Sequence, residues 1–72
     1  MTFGERLKEA RLAKGWTHTK LAEVSGVHEN NISTYERGIY EPRIFTAVCL
    51  ADALGVSLDW LAGRSEKGGV SR

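Results

Sequence analysis

Five glycines, Gly15, Gly26, Gly38, Gly55 and Gly63, divide the first 63 residues into short pieces, each carrying apolar residues at helical spacing. A glycine just past such a piece tolerates the left-handed backbone turn that ends a helix. Helices are therefore expected over 3–14, 18–25, 29–37, 44–54 and 58–62. No segment alternates apolar and polar residues with period two, so no sheet is expected. The fold class is all-α, with five short helices.

The helix starts agree with the stops. Thr2-Phe3-Gly4-Glu5 has the Ser/Thr-x-x-Glu form of a capping box, and Thr17 and Ser57 are suitable N-caps for the second and fifth helices. Trp16 with Leu21, Val27 with Ile32, and Val56 with Leu61 have the spacing of a hydrophobic staple, which pairs the residue before the cap with the fourth helical residue. The inner stripes read as Phe3, Leu7 and Ala10; Leu21, Ala22 and Val24; Ile32 and Tyr35; and Ala47, Leu50, Ala51 and Leu54. Leu58 and Leu61 close the core.

Seventy-two residues make one domain with a marginal core, so local capping and packing must contribute. The expected domain is 1–63, followed by a polar, glycine-rich flexible tail over 64–72. No apolar run approaches the roughly 18 residues of a membrane span, and the first five residues do not resemble a signal peptide. A lone cysteine, Cys49, forms no internal disulfide and no cysteine-based zinc site, which fits the reducing cytoplasm. The formal net charge is only +1. Global charge thus does not announce nucleic acid; only charge gathered on one face could.

The second and third helices are joined by a few residues around Gly26, which forces a steep crossing of helix-turn-helix type. Ala22 is small where two backbones must approach, and Ile32 packs back from the third helix. The wider pattern is more specific. Lys20-Leu21-Ala22-Glu23, Gly26-Val27, Ile32-Ser33, Tyr35-Glu36-Arg37-Gly38, Pro42 and the run from Leu50 to Leu61 closely resemble the lambda-repressor-like (Xre, or Cro/CI-type) helix-turn-helix family over nearly residues 4–63. The resemblance implies an all-helical domain that binds operator DNA, usually as a dimer, and regulates transcription.

In such a module the third helix enters the major groove and its first residues reach base edges. Glu29, Asn30, Asn31, Ser33 and Thr34 are the candidate base contacts. Asn30 suits adenine; Glu29 suits the amino group of cytosine, or simply supports the helix dipole; Thr34 offers a methyl to thymine or a hydroxyl to phosphate. Thr17, His18 and Thr19 at the start of the second helix are candidate phosphate contacts, with Lys20, His28, Arg37 and Arg43. His18 stands where the family usually has a phosphate-gripping glutamine, so either a phosphate contact or a solvent-facing ring is expected. His28 replaces the usual Ser/Thr cap and is expected to cap less well, leaving it for a phosphate. The resemblance also implies an ion pair between Arg11 and Glu36, with Arg11 partly able to touch phosphate.

A single short helix reads few base pairs, so a homodimer on double-stranded DNA is expected. Leu58, Trp60, Phe45 and Tyr40 are the candidate contacts, Trp60 being the one with a competing place in the core. Phe45 and Cys49 lie four residues apart at positions usually polar in the family, and with Ile39 and Tyr40 could form an exposed apolar patch. A repressor of phage or mobile-element type leads, since so short a chain holds no sensing domain. An antitoxin, a restriction–modification controller and an interaction module without DNA binding are the alternatives. No nucleophile with its base, phosphate loop or metal cluster is present, so no enzyme, cofactor, metal or small-molecule ligand is expected.

Overall fold

The computed structural model describes residues 2–64, and among these the secondary structure is helical throughout. Five helices, α1 (Phe3–Ala13), α2 (His18–Ser25), α3 (Glu29–Glu36), α4 (Ile44–Leu54) and α5 (Leu58–Leu61), follow one another through short turns. Their bounds match the sequence expectation to within one residue, with Lys14, Arg37 and Ala62 serving as caps rather than helical residues. From Ser65 onward the expected tail lies outside the described residues.

The ends form for the reasons read from the sequence. Thr2 and Glu5 complete a reciprocal capping box: Glu5 N–H donates to Thr2 Oγ1 at 3.2 Å and Thr2 N–H to Glu5 Oε1 at 2.9 Å. Thr17 and Ser57 accept from the backbone of Lys20 and Trp60. All five punctuating glycines take positive φ. At Gly26 this matters most, because its φ of 79° turns the chain from α2 to α3 within three residues.

Each of the three staples delivers its aliphatic or aromatic pair to one core. Leu7, Leu21, Ile32, Leu50 and Leu61 are fully enclosed, and Trp16, Val27 and Val56 pack with them. Within this arrangement α1 packs on α3 and α5, α2 on α3 and α4, and α4 on α5. Two core assignments change. Val24 is 47% exposed, because it lies about 200° around the helix from the inward-facing Ala22. Trp60 is only 5% exposed and belongs to the core, so it leaves the set of dimer contacts.

Arg6, unremarked in the sequence, is what holds Trp60 from the polar side. Its Nη1 donates to the Trp60 carbonyl at 2.9 Å while the guanidinium lies 4.9 Å from the indole centroid. A buried cation is thereby matched to a carbonyl dipole and a ring face. A second unforeseen contact joins α1 to α3. Gly4 is buried, and a Cβ there would meet the carbonyl oxygen of Tyr35 and lie 2.8 Å from that of Glu36. The first turn of α1 therefore rests directly on the last turn of α3.

Candidate nucleic-acid interface

The turn Gly26-Val27-His28 sets α3 across α2, and Val27 and Ile32 bury its inner side. Glu29, Asn30 and Asn31 are exposed on its first turn, while Ser33 and Thr34 are half-buried one turn on. Thr17, Thr19 and Lys20 are exposed at the start of α2, as are Arg37 and Arg43 beyond α3. The starts of α2 and α3 thus adjoin, with Thr19 bonded to Glu29 across them, while Arg37 and Arg43 lie at and beyond the far end of α3.

The far end of α3 is fixed by a compact charge network. Arg11 Nε donates to Glu36 Oε2 at 2.7 Å and Nη2 to Oε1 at 3.1 Å, while Nη1 donates to the Trp16 carbonyl at 2.7 Å. Both side chains are almost wholly enclosed. With every guanidinium nitrogen engaged inside the protein, Arg11 is not placed to touch phosphate, contrary to the sequence expectation. Burial alone would raise the Glu36 carboxyl, but hydrogen bonds from Arg11 and His18 and their charge outweigh it and hold the group below its ordinary value of 4.5.

Four candidate side chains are already committed within the fold. His18 Nε2 lies 3.0 Å from Glu36 Oε1, so this ring turns toward the carboxylate and only Nδ1 remains for a phosphate. His28 does cap α3, its Nδ1 accepting from Asn30 N–H at 3.0 Å, which leaves Nε2 as its outward donor. Histidine substitutes for Ser or Thr here because an unprotonated ring nitrogen is itself an acceptor. Thr34 spends its hydroxyl proton on the Asn30 carbonyl at 2.8 Å, so its methyl is what a base could meet. Thr19 spends its proton on Glu29 Oε2 at 2.8 Å and has none left for a phosphate while that bond holds. By contrast, Arg43 makes no side-chain cap bond to α4.

The helix-turn-helix family model matches residues 7–61. The chain belongs to the helix-turn-helix family. This helix-turn-helix domain is 41% identical over 66 residues to the HTH-type transcriptional regulator ImmR of Bacillus subtilis, covering 92% of this chain and 52% of ImmR. It spans about half the length of the relatives it matches. Among solved structures, the P22 c2 repressor in complex with a synthetic operator superposes with a TM-score of 0.84 at 29% identity, over 90% of this chain and 98% of that one. The biofilm regulator SinR of Bacillus subtilis in complex with DNA gives 0.80 at 33% identity, over 83% and 97%. The helix-turn-helix domain thus has the lambda-repressor-like fold. Among its described residues, no helix is long and apolar enough to cross a membrane.

Proposed function

We propose that this chain is a sequence-specific regulator of transcription, a repressor that binds double-stranded DNA as a homodimer in the cytoplasm. The observation that carries this reading is the first turn of α3. Three adjacent polar residues, Glu29, Asn30 and Asn31, are exposed there, while the opposite side of the same helix is sealed into the core by Ile32. Similarity to ImmR, and to proteins solved with DNA, supports the same reading. Asn30 and Asn31 act as readers of base edges, and the half-buried Ser33 and Thr34 flank them. Thr17, Lys20, Arg37 and Arg43 serve as phosphate anchors, joined by His18 through Nδ1 and His28 through Nε2.

Selection of bound sequences from a random double-stranded pool is the test. A two-fold motif with half-sites about one helical turn apart is expected. Absence of any enriched motif at low salt would remove the proposal. Asn30→Ala should cost about tenfold in affinity at one base pair, whereas Lys20→Ala should weaken all sequences alike and lower the salt slope by about one.

Pairing is proposed to use the apolar surface around the start of α4. Phe45 is 81% exposed and Tyr40 68%, and in the same stretch of chain Pro42 and Ile44 join Phe3 and Leu58 in lining an open groove of about 610 Å³. Apolar exposure gathered in one place marks a contact surface. At concentrations where the unaltered chain sediments as a dimer, Phe45→Glu should sediment as a monomer and melt at a temperature independent of concentration; an unaltered sedimentation profile would exclude Phe45 from the contact.

A further inference from the structure

We infer that Thr19 and Glu29 together form a preset acceptor for the exocyclic amino group of a cytosine, so that this pair determines specificity at one C·G base pair. The inference rests on the DNA-reading role proposed above for α3. Its basis is the bond from Thr19 Oγ1 to Glu29 Oε2 at 2.8 Å, which ties the second residue of α2 to the first residue of α3. Both residues are exposed, so the bond serves no buried polar group. What it does is hold one carboxylate oxygen and thereby restrict where the other can stand. Free glutamate carries several rotatable bonds, and ordering them on DNA would otherwise cost conformational entropy. The tether meets part of that cost before DNA arrives.

The choice of base follows from donors and acceptors. An ionised carboxylate only accepts hydrogen bonds. In the major groove, guanine presents two acceptors and thymine an acceptor with a methyl group, and both repel it or leave it unpaired. Adenine offers an amino donor, but N7 beside it is an acceptor that faces the carboxylate. Cytosine offers the amino donor without that neighbour. Glu29 stands on the first turn of α3, where the positive end of the helix dipole faces its carboxylate. Thr19 is then a positioning residue, and its hydroxyl works through Glu29 rather than on the DNA backbone.

The test compares sequence selection and salt-dependent affinity for the full chain and three variants, Glu29→Gln, Thr19→Val and Thr19→Ser. The unaltered chain should favour cytosine over the other bases by about tenfold at one position of each half-site. Glu29→Gln should move that position toward adenine, because an amide can donate to N7 while accepting from the amino group. Thr19→Val should blunt the cytosine preference and leave affinity for unrelated DNA unchanged, and Thr19→Ser should restore the preference. A Glu29→Gln motif identical to the original at every position would overturn the inference while leaving the DNA-reading proposal standing. So would a Thr19→Val variant that binds every sequence more weakly by the same factor and keeps the cytosine preference, the signature of a phosphate contact. No enriched motif for the unaltered chain would overturn both.

Discussion

Glu36→Ala is expected to lower the melting temperature by about 15 °C or more, because removing one member of a buried ion pair costs about 3–5 kcal/mol and a domain this small loses several degrees per kcal/mol. The deletion strands the enclosed Arg11 guanidinium with only the Trp16 carbonyl and takes from His18 its partner. Glu36→Gln separates shape from charge. It keeps the side-chain volume, so a comparable loss there assigns the effect to the ionised carboxylate. A thermal scan in which both variants melt with the unaltered chain would mean that the network adds nothing net.

The same carboxylate sets an acid dependence. Glu36 has a folded-state pKa below its ordinary value of 4.5, so the unfolded chain binds the proton more readily. Its stabilising contribution is complete above the ordinary value and is lost as the pH falls through the folded one. Stability of the unaltered chain should therefore decline below about pH 4.5 more steeply than that of Glu36→Gln, in denaturant titrations at stepped pH. Parallel curves would assign acid unfolding to other carboxylates.

The second large effect is expected at Gly4. Alanine in an exposed helix interior is more favourable than glycine by about 1 kcal/mol. Here the sign should reverse. A methyl group would press on the carbonyl oxygens of Tyr35 and Glu36, which are backbone atoms of a helix and cannot swing aside. Overpacking of this kind costs about 1–3 kcal/mol, so Gly4→Ala should melt about 10 °C lower. A melting temperature at or above that of the unaltered chain would show that α1 slides past α3 at little cost. Gly4 and Glu36 act on the same joint, so the double variant should fall short of the sum of the two single losses.

What could be read in advance divides along sequence separation. Helix ends rest on residues three to five apart, and Thr2 with Glu5, or Val27 with Ile32, states its own geometry. The clasp of Arg6 on the Trp60 carbonyl links residues 54 apart, and nothing local to either announces it. Gly4 was legible as part of a capping box, yet the close approach that requires it comes from Tyr35 and Glu36. The Arg11–Glu36 pair was available only through family resemblance. For the histidines the residue type was informative but not decisive. An imidazole suits a cap, a carboxylate or a phosphate equally, and the fold supplied the first to His28 and the second to His18. Thr19 and Thr34 show the same limit, since a hydroxyl proton spent internally cannot be inferred from composition.

The two ends of α3 are held by different means. Its rear is seated on the backbone of α1 and pinned by an enclosed guanidinium, whereas its front is seated on the buried Val27 and Ile32 and trimmed by two surface bonds, from Thr19 and to His28. The rod is thus seated at heel and toe alike, and what stays adjustable is the pair of exposed amide side chains, Asn30 and Asn31, at its leading edge. Small differences in groove width between one binding site and the next can then be absorbed by these side chains, without disturbing the body of the domain.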